Sequence, residues 1–575
     1  HIDFGRLASR IIISNLQKNV LPDVRSMAEV LYRHKDKSGR HFPRIDKKMY
    51  KFYCKYADRL NPIIVHERDY LFDTFGAETM IKTYLLKIID MNSPEKYPTI
   101  TAERPQHLWL RVAIQPKLTS EDVELTDEMF QSIKTAYDYM STMVFTHATP
   151  TLLNSGLPRN QLVSCNLYSV GDSSEHIMDS AKIASLLSRD GAGLGFAISD
   201  IRSIGSAIRG TGGVSEGITN MAAIFASCMT AFNQGGGKRN GSMSLTMEVW
   251  HPDILIFIDL KKAEGGDHSH RVRSLFYAVF VCDEFMRRVA DDAMWSLLDP
   301  DECPNLTVTW GDEFTALYRK YESEGKARKT LPARHLFKVI TERMVETGQP
   351  YFQFKDTINR KTNQQGWGTI KCSNLCTEIT LPSGVFKVHP HQDLKYVTNP
   401  KLPVFDCDET DDLANCNIAS ISLPAFVKKE NENVWFDFVE LSKVAALVAE
   451  RLDECIDVTG YPMELARNTN MRHRPIGIGT QGLANVFYMM GIPWESEDAV
   501  KINSEIFEAI YYGAMSKSTE RAKKLGVYPT YQRSPAALGF LQPDLWLIEE
   551  EVKKKHLPDE PVRKLVQNYK LPKYD

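Results

Sequence analysis

The sequence predicts an α/β protein entered through a mainly helical segment. Three observations carry this expectation. Over residues 1–145 apolar side chains recur at helical spacing, with charged faces between them. From Thr146 onward, short apolar strands alternate with amphipathic helices. The length of 575 residues, with 43% hydrophobic and 25% charged residues, suits a large buried core and exceeds the usual single domain. We therefore expect a helical domain over 1–145 and an α/β domain over 146–575.

Taken in order, residues 1–19 and 27–60 have helix-like spacing, punctuated by Pro43, Pro62, Pro98 and Pro105. Ile177, Ala181, Ala184 and Leu187 mark a helix, after which Gly-Ala-Gly-Leu-Gly-Phe-Ala-Ile, starting at Gly191, turns into a strand. Leu441, Val444, Val448 and Leu452 mark another helix. Ile506, Ile510 and Ala514 mark a third, ended by Gly526. No internal repeat or low-complexity segment interrupts this pattern. Periodicity does not decide between an open sheet and a barrel.

Composition narrows the function classes. A net charge of −3 leaves no basic footprint for a nucleic-acid polymer and fits a nucleotide better. No apolar run reaches the roughly 18 residues of a membrane helix. Ten cysteines without a Cys-x-x-Cys pair fit a reducing compartment, where structural disulfides are not expected, and the missing ligand pairs at two-to-four spacing argue against zinc. A cysteine in such a chain is either inert core or redox chemistry.

The most informative block is Asn-Leu-Cys-Thr-Glu, carrying Asn374, Cys376 and Glu378. If it is extended, alternate side chains share one face, and an amide, a sulfur and a carboxylate converge. Glu is almost never buried without a partner, so an active site is the expectation and a satisfied structural loop the alternative. Cys165 and Cys416 each stand among polar residues at the edge of an apolar run.

Residues 146–156 (Thr-His-Ala-Thr-Pro-Thr-Leu-Leu-Asn-Ser-Gly), 233–242 (Asn-Gln-Gly-Gly-Gly-Lys-Arg-Asn-Gly-Ser), 373–379 (Ser-Asn-Leu-Cys-Thr-Glu-Ile) and 472–479 (Arg-His-Arg-Pro-Ile-Gly-Ile-Gly) resemble, in order, the large catalytic subunit of class I ribonucleotide reductase. Asn-Leu-Cys rather than Asn-Pro-Cys favours class I over the cobalamin-dependent class. The resemblance implies the ten-stranded α/β barrel shared with glycyl radical enzymes, with the radical cysteine on a loop through its centre. It implies reduction of ribonucleoside diphosphates, with Cys376 as the thiyl radical, Glu378 as general base and Asn374 orienting the sugar. Cys165 and Cys416 would supply two electrons and end as a disulfide. Thr149, Ser164 and Gly193 would contact the substrate. Asp172, Ser173, Ser174, Arg189, Arg202, Arg209 and Gly210 would hold a deoxynucleoside triphosphate or ATP effector. A loop with Gln234, Gly235, Gly236, Lys238 and Arg239 would relay effector identity. That glycine run lacks the spacing of a phosphate-binding P-loop.

The same resemblance implies no cofactor or metal held directly. It implies a radical from a metal-bearing small subunit, thioredoxin or glutaredoxin as reductant, a homodimer and a cytoplasmic location. Departures accompany it. The family's ATP-binding helical cone precedes His1, and its later phosphate loop, paired relay tyrosines and C-terminal dithiol are not found, so a fragment truncated at both ends is expected. Tyr511 and Tyr512 fall inside a helical block and are expected to pack in the core. Residues 381–413 read as a surface insertion, in which His389, His391 and Cys407 are expected to be solvated rather than metal ligands. A nonenzymatic nucleotide-binding regulator and a glycyl-radical enzyme are the competing readings.

Overall fold

The computed structural model describes residues 2–93, 98–233, 240–262, 271–384 and 412–555. The chain divides into two compact units. The first comprises residues 1–164, 417–461 and 474–527; the second comprises 165–416, 462–473 and 528–575.

In the first unit the opening segment is helical, as its spacing predicts. Helices span Ile2–Asn19, Val24–Tyr32, Lys47–Leu60, Pro105–Ile114 and Asp127–Ser141. Side-chain oxygens of Asp23, Asp46 and Thr126 accept the orphan amides of Ser26, Met49 and Met129 and so start three of them. The helical spacing over 27–60 is not one helix. It breaks after Tyr32, where Gly39 turns with φ +77 and Lys35 bridges His41. The later helices Phe438–Val458 and Glu497–Leu525 belong to the same unit. Leu441, Val444, Val448 and Leu452 are fully buried, and Ile506 and Ile510 are buried too. Gly513 lets the two helices approach, because a Cβ there would lie 2.1 Å from the Ser442 carbonyl oxygen. Tyr512, expected in the core, is 70% exposed: it lies on the face turned away from this seam.

One buried ion pair organises this unit. Arg111 Nε and Nη2 fork onto Glu103 at 2.7 and 3.0 Å, both side chains being almost fully buried. Glu103 also accepts the Leu86 amide at 2.9 Å. Arg111 Nη1 donates to the carbonyls of Leu152 (3.3 Å) and Ser155 (2.5 Å), tying down the end of helix Thr149–Asn154.

The second unit is built on parallel strands. β1 (Cys165–Ser169), β2 (Gly193–Ala197), β3 (Met243–Glu248), β4 (Phe276–Val281) and β5 (Tyr351–Phe354) pair in that order, each parallel to the next. Helix α1 (Ser174–Arg189) connects β1 to β2, and α2 (Ile218–Ala231) precedes β3. Strands β1 and β3 are buried along their whole length, as parallel strands covered on both faces must be. The strand Ala414–Ser422, β6, pairs its first three residues antiparallel to β1. This is a helical N-terminal region followed by an α/β barrel domain. The described residues of this unit supply five of the ten expected parallel and antiparallel strands, plus the start of β6. No helix among the described residues is long and apolar enough to cross a membrane.

Replacing Glu103 by Ala leaves Arg111 as a buried charge without its carboxylate, and should lower unfolding stability by about 3–5 kcal/mol. Urea denaturation measures this. A loss below about 1 kcal/mol would mean that water reaches the pair.

Candidate active site

Parallel register places Leu167, Gly195, Ser244 and Phe276 in one row, and Ser169, Ala197, Thr246, Ala278 and Tyr351 in the next. Row partners share a face of the sheet. At its middle the side chains are small, at Gly195, Ala197, Ser244 and Thr246, and the segment 372–383 lies on this face. Its closest approach is at Gly195, where an added Cβ would stand 1.9 Å from the Ser373 carbonyl oxygen and 2.7 Å from Asn374 Cα. Only glycine fits. Around this contact the buried Cys372 donates to the Gly195 carbonyl at 3.6 Å, and Gln353 Nε2 donates to the Ser373 hydroxyl. Ser169 and Ser383 share a hydroxyl hydrogen bond at 2.9 Å. Leu167, Ala197, Cys372 and Ala414 form a small apolar cluster with Ile379 and Leu381.

The block 374–378 is not extended. Ser373 and Thr380 bridge antiparallel, the Asn374 amide donates to the Ile379 carbonyl at 3.1 Å, and the residues between form a turn. Thr377 takes φ 71, a left-handed conformation that a β-branched residue rarely adopts. The three side chains therefore gather through a turn instead of strand alternation. Asn374 is fully buried, while Cys376 and Glu378 are exposed. Asn374 Oδ1 accepts the Ile379 amide at 3.0 Å and its Nδ2 donates to Cys165 Sγ at 2.9 Å. One side chain thus fixes the turn and reaches the strand cysteine. Cys165 Sγ in turn donates to Glu378 Oε1 at 3.6 Å.

Cys416 is the direct antiparallel partner of Cys165, although 251 residues separate them (416 − 165). Directly opposed residues have Cα atoms about 4.5–5.5 Å apart, inside the range a disulfide spans. Neither forms a disulfide in this structure. Burial, and then the Glu378 carboxylate, push both well above an ordinary thiol; at Cys165 the neighbouring sulfurs of Cys416 and Cys376 add to this. Through neutral pH both stay protonated. Cys372, in the wall beneath them, is pushed up to about 12 by burial. Tyr351, at the start of β5, is raised by burial and by the nearby Cys376.

Other expected residues divide by location. Gly193 is the parallel partner of Cys165. Thr149 and Ser164 belong to the first unit. There Thr149 shares a hydroxyl hydrogen bond with Tyr84 at 3.2 Å, and the buried Ser164 hydroxyl has no partner among the described residues. Asp172 takes Arg202 in a two-point contact, from its amide at 3.2 Å and from Nε at 2.8 Å. Arg209 and Gly210 lie on the exposed turn between Ala207–Ile208 and Gly213–Val214. Ser173 caps α1 by accepting the His176 amide at 3.1 Å, and Ser174 contacts Glu175. Arg189 does not join this cluster. It ends the 16-residue α1, roughly 24 Å along the helix from its start, and forks onto Asp190. Gln234, Gly235, Gly236, Lys238 and Arg239 lie outside the described residues, as do His389, His391 and Cys407.

Sequence reading missed Gly195, Gln353 and the anchoring of the insertion. For Gly195 a signal existed: glycines at 191, 193 and 195 alternate at strand period, the mark of a close approach on one face. The insertion's two ends meet, because the Gly384 amide donates to the Asp412 carbonyl at 3.2 Å. The buried Asp412 carboxylate is held by Thr469 (3.1 Å), Arg472 (3.1 Å), His473 (2.9 Å) and Trp367.

Two outcomes follow from this geometry. Iodoacetamide at neutral pH should label Cys376 before Cys165 or Cys416, whose labelling should still climb above pH 9 as their raised thiols ionise. Peptide mass spectrometry reads the order, and early labelling of the strand pair would contradict it. Gly195→Ala should drive the 372–383 segment off the sheet and open Cys165 to the reagent; unchanged protection would mean that the contact is dispensable.

Comparison with known proteins bears on this arrangement. The family described as ribonucleotide reductase, barrel domain, matches residues 163–571, and that described as ribonucleotide reductase, all-alpha domain, matches residues 70–160. The ribonucleoside-diphosphate reductase large subunit of Plasmodium falciparum is 43% identical over 547 residues, covering 95% of this chain and 62% of that protein. The large subunit from Arabidopsis thaliana is 41% identical over 564 residues, with coverages of 95% and 64%. That from Vaccinia virus is 41% identical over 548 residues, with coverages of 95% and 65%. This chain thus spans a little under two thirds of the length of these curated relatives. With a barrel-domain match over most of its length and cysteines paired across its sheet, the chain belongs to the ribonucleotide reductase large-subunit family.

Proposed function

We propose that the chain carries the site for radical reduction of ribonucleoside diphosphates to deoxyribonucleoside diphosphates. One observation supports this most: Cys165 and Cys416 are strand partners, and the turn bearing Cys376 and Glu378 reaches them through Asn374 and Glu378. A lone buried cysteine would be core filler. Two opposed thiols beside an exposed thiol and a carboxylate make a redox site.

In the proposed reaction the Cys376 thiyl radical takes the hydrogen atom from C3′ of the ribose. Glu378 accepts the 3′-hydroxyl proton. The 2′-hydroxyl leaves as water with one proton from the dithiol, Cys165 and Cys416 supply two electrons and their second hydrogen to C2′ as their sulfur–sulfur bond forms, and Glu378 returns its proton to the 3′-oxygen. Cys376 returns its hydrogen atom to C3′ and becomes the thiyl again. The sum is ribonucleotide plus dithiol giving deoxyribonucleotide, disulfide and water. Protonated thiols suit this role, and burial keeps both that way. Gly193, Thr149 and Ser164 are proposed substrate contacts, each within its own unit.

The radical would come from a small subunit with a metal centre, and thioredoxin or glutaredoxin would restore the dithiol in a reducing cytoplasm. A homodimer and a deoxynucleoside triphosphate or ATP effector complete the proposal. Asp172, Arg189, Arg202, Arg209 and Gly210 are the proposed effector contacts, with Ser173 and Ser174 beside them and the 234–239 loop as relay.

The test is turnover in the complete polypeptide with a radical-generating small subunit and a dithiol. Cys376→Ser should end turnover and leave substrate binding intact, while Glu378→Gln should cost about 100-fold or more. Retained turnover in Cys376→Ser would sink the reading.

A further inference from the structure

Two of the arginines proposed to hold the effector's triphosphate are already occupied. Arg209 Nη2 meets Asp301 Oδ2 at 3.1 Å, and Arg202 Nη2 lies 3.9 Å from Asp301 Oδ1. A single carboxylate therefore stands between both guanidinium groups. It does not stand there by chance of a flexible surface. The Asp301 amide donates to Asp299 Oδ1 at 2.9 Å, and Asp299 is fully buried. The other oxygen of Asp299 accepts the Ser203 amide at 3.0 Å, the Ser203 hydroxyl, and the Ser206 hydroxyl at 2.5 Å. The turn carrying Arg202 and the turn carrying Asp301 are thus fixed to one buried anchor. Asp172 holds Arg202 from the other side, and Arg202 Nη1 donates to the Ala207 carbonyl at 2.5 Å.

We infer that Asp301 is an internal competitor for the effector's phosphates and sets how tightly a deoxynucleoside triphosphate binds. This inference rests on the effector reading of the cluster. Arginine forks bind carboxylate and phosphate by the same geometry, so the incoming phosphates must take the guanidinium groups from Asp301. Once displaced, Asp301 stays nearby, because its backbone amide is held by Asp299. Its charge then remains beside the bound anion. A triphosphate carries several charges against one carboxylate and still wins, but at reduced affinity. The competition acts on phosphate, so it should grow with the number of phosphates, vanish for a nucleoside and fade as salt screens it.

Calorimetry with dTTP, and with thymidine as the phosphate-free control, tests this at low salt. Asp301→Asn should bind dTTP about tenfold more tightly, Asp301→Glu should stay within about twofold of the parent, and thymidine binding should not change. Asp301→Ser, which keeps a short polar side chain in the same turn, replaces the Asn variant if that fails to fold. If Arg209→Ala and Arg202→Ala weaken dTTP binding while neither Asp301→Asn nor Asp301→Ser tightens it, the competitor role is overturned and the effector site stands. If the arginine variants also leave dTTP binding unchanged, the effector reading itself falls, and the inference with it.

Discussion

Everything at the centre of the second unit depends on one residue having no side chain. At Gly195 the backbone of β2 and the backbone of the Ser373–Asn374 segment approach within a distance that a methyl group would forbid. Because the approach is that close, Asn374 can reach Cys165 across the sheet and Glu378 can accept from the same sulfur. The small residues around it, Ala197, Ser244 and Thr246, keep the rest of that face low enough for the segment to lie flat. A side chain at Gly195 would lift the turn and separate the sulfurs from the carboxylate.

Electrostatics then sets the state of those groups. Two thiols are buried beside a carboxylate, and both burial and the like charge oppose ionisation. The exposed Cys376 stands apart from this pair in environment while remaining close in space, so the three sulfurs are chemically unequal. That inequality suits the proposed division between a radical carrier and a dithiol.

Much of this was legible in the sequence. The helical opening, the helix over 438–458 and the glycine stop at 526 follow from spacing and caps, which are local. The site residues were legible as a set, because an Asn, a Cys and a Glu in five positions have little structural use. Their geometry was not. Strand alternation was the simplest way to bring them together, whereas the chain uses a turn with Thr377 in a left-handed conformation, which a β-branched residue gives no reason to expect. The position of Arg189 at the far end of α1 from Asp172 was not legible either, since motif position does not measure helix length. Asp301 was invisible for the opposite reason: in Asp-Pro-Asp-Glu an acidic residue reads as a solvated turn, and only the fold brings it to Arg202 and Arg209.

The closed neck at Gly384 and Asp412 has a consequence for how this chain tolerates change. The two residues meet, and Asp412 is locked by Thr469, Arg472, His473 and Trp367 before β6 begins. Strand register at Cys416 is therefore decided downstream of the neck. One residue gained or lost between 412 and 416 would therefore turn Cys416 to the opposite face of the sheet. That short interval leaves no room for a change of length.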